Sequence, residues 1–185
     1  MRMNKSDHFD LRQQGDDVRI RAPHPSDGPQ IWSLIEAAGA LDTNSLYCNL
    51  LQCSHFAATC ALAEWNGKIV GWMSGYLPPA QPDTLFIWQI CVTDVARGQG
   101  LGQRLITSVL MRPSCAGVRQ VECTITNANV ASWALFRKVA LALEADLTSQ
   151  PHFLREKHLD MRHDSEFRVT IGPFEAGGVR PARAA

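Results

Sequence analysis

The sequence carries no net charge, because 18 Lys and Arg balance 18 Asp and Glu. That balance removes the field by which a general nucleic-acid or anionic-membrane binder draws in its partner. No run of about 18 apolar residues occurs, so no helix is expected to span a bilayer. The opening stretch MRMNKSDHFDLRQQGDD lacks the apolar centre of a secretory signal, and a cytoplasmic protein is expected. Among Cys48, Cys53, Cys60, Cys91, Cys115 and Cys123 there is no C-x-x-C pair. Cys48, Cys53 and His55 lack zinc spacing, and the other histidines (His8, His24, His152, His158, His163) are scattered. Free thiols are therefore expected, and no metal. The nucleotide loop G-x-x-x-x-G-K-[ST] is absent too, and only two tyrosines, Tyr47 and Tyr76, are available as phenolic acids.

What is present is a chain of 185 residues with 45% hydrophobic and 19% charged content. One domain of that size buries roughly 70% of its unfolded surface and needs no staple. Residues 1–17 are polar and aperiodic, and 175–185 are rich in Gly, Ala and Arg, so both are expected as flexible tails around a body at 18–174. Val18–Arg21 alternates like a short strand. Ser26 or Asp27 can cap a helix bearing Ile31, Trp32, Leu34 and Ile35, closed by Gly39. A short helix follows around Leu46, Leu50 and Leu51. Asn66-Gly67 then joins two strands, Thr59–Trp65 and Lys68–Leu77, by the strongest short hairpin signal. Leu85–Val92 reads as a strand buried on both faces. A helix with Leu101, Leu105, Ile106, Val109 and Leu110 comes next, ending at Pro113. After it come a strand at Gln120–Thr126, a helix capped by Asn127 or Asn129, and a last strand at Glu166–Ile171. The order predicts an α/β (α+β) fold, a mixed sheet with helices on both faces.

The chemistry is concentrated in Arg97-Gly98-Gln99-Gly100-Leu101-Gly102, where a buried strand hands over to a helix. Glycines let backbone approach a ligand closely, and a first helical turn leaves N–H groups unpaired. With the helix dipole they form a site for phosphates. The dinucleotide fingerprint counted from Gly98 needs Gly or Ala where Gln103 stands. The pattern that fits is R-x-x-G-x-G, and it resembles the pyrophosphate-binding turn of the GCN5-related N-acetyltransferases. That resemblance extends to QVECTIT and to Asn129-Val130-Ala131-Ser132-Trp133-Ala134-Leu135-Phe136.

The resemblance implies the GCN5-related acetyltransferase fold, in which two strands splay apart to admit the pantetheine arm of acetyl-CoA. It implies that Ile90, Cys91 and Val92 pair with that arm, and that Arg97, Gly98, Gln99, Gly100, Leu101, Gly102 and Gln103 hold the pyrophosphate. Asn129 would hydrogen-bond the arm, serve as a helix cap, or do both. Many members carry a Tyr seven residues after this Asn as acid for the departing thiolate. Here that coenzyme-site position is Phe136, which can donate nothing.

Longer stretches are similar to one group within that superfamily, the diaminobutyrate acetyltransferases of ectoine biosynthesis. They are Asp27-Gly28, LDTNSLY at 41–47, His55-Phe56, Gly75-Tyr76, LFIWQ at 85–89, Asn129 to Phe136, and Ile171-Gly172-Pro173-Phe174. This resemblance implies acetyl transfer from acetyl-CoA to the 4-amine of L-2,4-diaminobutyrate in a homodimer. Such a substrate needs acidic acceptors for its ammonium groups. Asp42, with Thr43, Asn44 and Tyr47 beside it, is the first candidate; Asp42 can equally cap the short helix. Trp88 can wall the pocket, stack on an ammonium or serve as core. Glu166 is assigned to the second amine, His163 three residues before it is a further substrate-binding candidate, and Arg168 is assigned to the carboxylate or to solvent. Asp42, Glu166 and Tyr47 are the candidates for proton transfer, with Glu122 as another acceptor if it does not face solvent. Direct attack in a ternary complex is expected, with a backbone N–H near Cys91 or Val92 as oxyanion donor and Cys91 as rival nucleophile. Two alternatives stand beside this reading: an acetyltransferase for another small diamine or amino acid, and a non-catalytic acyl-CoA sensor.

Overall fold

The computed structural model describes residues 18–39, 41 and 43–175. The segments 1–17 and 176–185, expected as tails, and the candidate Asp42 lie outside the described residues. The elements are β1 (Arg19–Arg21), α1 (Gly28–Ala38), α2 (Leu46–Ser54), β2 (Ala61–Trp65), β3 (Lys68–Tyr76), β4 (Thr84–Val92), α3 (Leu101–Leu110), β5 (Gln120–Thr126), α4 (Val130–Ala142), β6 (Leu147–Phe153) and β7 (Glu166–Ile171). The seven strands form one sheet in the order β1-β2-β3-β4-β5-β7-β6. Every neighbouring pair is antiparallel except β4 with β5.

The sheet has an apolar core on each face. One packs Leu101, Leu105, Ile106 and Val109 of α3 and Phe136 and Val139 of α4 against Met73, Leu85, Ile87, Val121, Cys123, Val169 and Ile171. The other packs Ile31, Leu34 and Ile35 of α1 and Cys53 of α2 against Leu62, Ile69, Trp72 and Cys91. The second core includes no residue of β5, β6 or β7. On that face β5 and β7 point Glu122, Thr124, Thr126, Glu166, Arg168 and Thr170 outward, because the alternate residues fill the first core. The fold thus leaves a polar half-sheet beside α1 and α2, with Glu122 buried and the other five residues half-buried.

Local chemistry explains the element ends. Asn66 (φ 49°) and Gly67 (φ 72°) make the β2–β3 turn, and Gly39 (φ 62°) closes α1. Ser45 caps α2, its Oγ accepting from the Cys48 N–H at 3.2 Å. Of the two asparagines expected to cap α4, Asn129 does so, its Oδ1 accepting from the Ser132 N–H at 3.0 Å. The expected cap of α1 is corrected: Asp27 makes no such bond. Its carboxylate accepts from the His24 N–H at 2.7 Å and from both terminal nitrogens of Arg21 at 2.7 and 2.9 Å.

Those bonds hold the Asp27 carboxyl below its usual range, the Arg21 hydrogen bond being the largest cause. A carboxylate depressed in the folded state stabilises fully above its unfolded pKa of about 4, and loses that contribution as pH falls through the folded value. Asp27→Asn should cost about 2 kcal/mol near neutral pH, lowering the melting temperature by about 4–8 °C. The gap to wild type, followed by calorimetry, should narrow steadily below about pH 4. A gap that stays constant into acid would contradict this account.

Two sequence expectations change. The strand β6 is additional: LTSQPHF shows no apolar alternation, contains Pro151 and is mostly exposed at the sheet edge, where pairing with β7 alone defines it. β4 is not buried throughout. Ser74 pairs with Gln89 and Gly75 with Ile87, so Trp88 is an extra residue on β4, a bulge, and is 46% exposed. The bulge shifts the strand's parity: Leu85 and Ile87 face the α3–α4 core, as do Ile90 and Val92, whereas Cys91 faces the α1–α2 core.

Candidate active site

β4 and β5 pair only from Thr84↔Gln120 to Ile87↔Cys123. Beyond that point β4 keeps its pairing with β3 to Val92, and β5 keeps its pairing with β7 to Thr126. The two strands therefore diverge, and the backbone edge of Trp88–Val92 facing β5 has no strand partner. A cleft of about 580 Å³ lies there, lined by Ile90, Cys91, Val92, Arg97, Gly98, Gly100, Leu101, Gly102, Gln103 and Asn129 among others. An open strand edge of this kind accepts an extended ligand as a surrogate strand.

The turn at the head of α3 is built for close approach. Gly98 and Gly100 lie at φ 76° and 72°, and a Cβ at either would point into open space. Backbone that only glycine adopts easily is thereby presented bare at the helix start. A Cβ on Gly102 would instead come within 3.2 Å of Leu135, so this glycine lets α3 and α4 pack closely. Arg97 is anchored to Asp94 at 2.8 Å, and Gln99 donates to the Val95 carbonyl at 3.0 Å. The oxygen of Asn129 is engaged in its cap, which leaves its Nδ2 as the group able to donate into the cleft. These features fit an acylated pantetheine with its pyrophosphate at the turn.

Not every expected coenzyme residue reaches the cleft. Phe136 is 2% exposed within the α3–α4 core, because its place on α4 faces the sheet. Gln99 is not among the cleft-lining residues either, its side chain being turned back onto Val95. Cys91 does line the cleft, but burial pushes its thiol up to about 12. So little thiolate forms near neutral pH that it is a poor nucleophile.

The amine-side candidates are spread along the divergence, Trp88 where β4 and β5 part and Glu166 at the open end. Trp88 and Tyr76 meet edge to face with centroids 6.4 Å apart, and Tyr76 lies 5.3 Å from Phe86 and 6.3 Å from Phe56. This aromatic line borders the polar half-sheet, Phe86 pairing with Glu122. Glu166 pairs with Thr126 at the far end of β5, at the open end of the divergence, while His163 precedes it in an exposed loop. Thr43 and Tyr47 are exposed, Tyr47 at 69%. The side chain of Asn44 donates to Gln89 Oε1 at 2.8 Å and its carbonyl accepts from Trp32 Nε1 at 3.1 Å, so it is held by protein partners. Glu122 is 7% exposed and accepts from the Thr170 hydroxyl at 3.0 Å, beside Phe86 in the parallel register. Its alternative as a solvent-facing residue is thereby removed. Arg168 donates to the Gln150 amide on the neighbouring strand.

Sequence reasoning did not single out Gln89, Thr170 or Phe86 as site residues, and it named Tyr76 only beside Tyr47 as a phenolic acid. Their signal is the register of β4 against β3 and β5, which an almost wholly apolar string such as LFIWQICV does not disclose.

Comparison with known proteins agrees with this geometry. Residues 30–140 match the model of the acetyltransferase (GNAT) family. The chain is 42% identical over 159 residues to the L-2,4-diaminobutyric acid acetyltransferase of Methylotuvimicrobium alcaliphilum, covering 86% of this chain and 92% of that one. It is 45% identical over 161 residues to the enzyme of the same name from Halomonas elongata, covering 86% and 83%. Among solved structures it resembles the diaminobutyrate acetyltransferase EctA of Paenibacillus lautus in complex with L-2,4-diaminobutyric acid and coenzyme A. The TM-score is 0.83 at 37% identity, over 87% of this chain and 98% of that one. Ard1 from Thermoplasma volcanium shares the fold alone, with TM-score 0.67 at 15% identity over 85% of this chain and 99% of that one. A diverging β4–β5 pair, a left-handed glycine turn at the helix start and matches of this extent lead to one conclusion: the chain belongs to the GNAT family of acetyltransferases and, within it, to the L-2,4-diaminobutyric acid acetyltransferases.

Proposed function

We infer that the chain transfers the acetyl group of acetyl-CoA to the 4-amino group of L-2,4-diaminobutyrate, giving N4-acetyl-L-2,4-diaminobutyrate, the precursor cyclised to ectoine. The observation that carries this reading is the coenzyme-shaped divergence of β4 and β5, in a body matched over 86% of its length by enzymes of that name. Acetyl-CoA supplies an activated carbonyl and a thiolate leaving group. The open edge of Ile90–Val92 binds its pantetheine arm, Asn129 Nδ2 donates to the same arm, and the N–H groups from Gly98 to Gln103 hold the pyrophosphate. An N–H near Cys91 or Val92 stabilises the charge that develops on the carbonyl oxygen.

On the amine side, the substrate is assigned to Asp42, Thr43 and Tyr47, on the loop that Asn44 holds, and to Trp88, His163 and Glu166. Carboxylates there hold the ammonium groups. Asp42 or Glu166, through water, takes the proton the 4-amine must lose before it attacks. Tyr47 or water returns a proton to the sulfur, since Phe136 has none to give. The raised Cys91 thiol supports direct attack over an acetyl-enzyme. The working form is a homodimer in the cytoplasm; among the described residues no helix is long and apolar enough to cross a membrane.

A thiol-release assay with acetyl-CoA and a panel of amines tests the reading. Diaminobutyrate should exceed ornithine, lysine and putrescine in kcat/KM by at least about a hundredfold, the discrimination open to a site that pairs each polar group. A faster alternative amine would contradict the substrate, and acetyl-CoA binding with no thiol release on any amine would indicate a coenzyme-binding sensor.

A further inference from the structure

The loop between α1 and α2 touches both halves of the site. Ala38, which ends α1, and Leu41 line the coenzyme cleft, and Thr43 and Tyr47 further along carry the amine-side assignment made above. A loop with that double duty needs fixing, and residues 43–45 have no secondary structure of their own. It is fixed at Asn44. The indole N–H of Trp32 on α1 donates to the Asn44 carbonyl at 3.1 Å, and the Asn44 side chain donates to Gln89 Oε1 at 2.8 Å. Gln89 is 7% exposed on β4. A buried amide on an apolar strand is costly unless it is engaged, and this one is engaged across 45 residues of sequence.

The place of Gln89 on β4 gives the contact its meaning. Its neighbour on one side is Trp88, the exposed bulge residue in the aromatic line. On the other side begins Ile90–Cys91–Val92, which lines the coenzyme cleft. The bulge turns Gln89 to the α1–α2 face, toward the loop, while Ile90 keeps to the face of α3. One short length of strand thus carries the amine-side wall, the anchor of the amine-side loop and the edge offered to the thioester.

We propose that Trp32, Asn44 and Gln89 form a clasp that sets the distance between the amine-binding loop and the coenzyme edge, and so selects the 4-amine over the 2-amine. The three are positioning residues: Asn44 acts through the loop it holds and has its amide committed to Gln89. The proposal rests on the functional reading above. Diaminobutyrate offers two amines on one short chain, so a loop displaced by about 1 Å is enough to misalign attack, at a cost of about a hundredfold.

The test uses the full chain with Asn44→Ala, Gln89→Met and Trp32→Phe, the last keeping an aromatic ring while removing the donor. Steady-state kinetics with diaminobutyrate, acetyl-CoA affinity without amine, melting temperature and the ratio of N4- to N2-acetylated product are read for each. Asn44→Ala and Gln89→Met should lower kcat/KM for diaminobutyrate by about ten- to a hundredfold. Acetyl-CoA affinity should stay within about threefold, and the N2-acetylated share should rise. The double variant should be no worse than the worse single one, because both remove the same contact. Trp32→Phe should shift the product ratio in the same direction with a smaller loss of rate. A merely structural role would lower the melting temperature and leave the product ratio unchanged; that result, or multiplicative losses in the double variant, would overturn the clasp. A wild-type enzyme that ignored diaminobutyrate would contradict the functional reading instead, and the clasp would then be read from the same variants on the amine it does acetylate.

Discussion

Gly100→Val is expected to weaken acetyl-CoA binding by about a hundredfold while leaving a folded protein. Gly100 stands at φ 72° immediately before α3. A β-branched residue there costs about 1–2 kcal/mol in backbone strain. It also puts methyl groups into the open space at the turn, where the proposed pyrophosphate contact lies. The chain can relieve strain by moving the turn, but moving it takes the donors away from the anion. The loss should therefore appear in the dissociation constant for acetyl-CoA, and in its KM, more than in kcat. Gly67→Val is the matched control, because Gly67 shares the same φ in the β2–β3 turn, away from the cleft. That variant should lose stability and keep its coenzyme affinity. Equal losses of affinity in both would mean that strain, not phosphate contact, explains the first result.

The second large effect belongs to Glu166. Glu166→Gln keeps the shape and removes the charge at the open end of the β4–β5 divergence, where β7 starts opposite Thr126. If its carboxylate holds a substrate ammonium, neutralising it leaves that cation without its partner. Loss of one member of such a pair costs about 2–5 kcal/mol, or at least about thirtyfold in kcat/KM. The loss should fall on diaminobutyrate alone, with acetyl-CoA affinity within about threefold, since the residue is not among those lining the coenzyme cleft. Glu122→Gln separates the two carboxylates. Glu122 is held by Thr170 and lies one residue before the strands part. A larger effect at Glu122 than at Glu166 would move the ammonium partner, or the proton acceptor, inward along β5.

The glycine turn and most of the cleft lining were legible in the sequence because their signals are local. Glycines at 98 and 100, an asparagine at a helix start and apolar residues at helical spacing in α3 each encode their own conformation. The same holds for the Asn66-Gly67 turn. The amine-side assignment rests on family resemblance alone, and the structure around those residues lies in contacts distant along the chain. The bulge at Trp88 cannot be read from LFIWQICV, where nearly every position is apolar and parity leaves no trace. Asp27 reads as a cap until Arg21, on the preceding strand, takes its carboxylate. β6 has no burial pattern because it is an exposed edge defined by β7. Gln89 belongs to the same class, its role set by an asparagine brought to it only when α1 packs on β3 and β4.

The account stands on which nitrogen receives the acetyl group. Wild-type enzyme incubated with acetyl-CoA and L-2,4-diaminobutyrate, with the product resolved by two-dimensional NMR, answers this directly. The predicted result is a single product in which the acetyl carbonyl correlates with the protons of the 4-methylene carbon. Acetylation at the 2-amine, or an unmodified diamine beside rapid turnover of another amine, would contradict it.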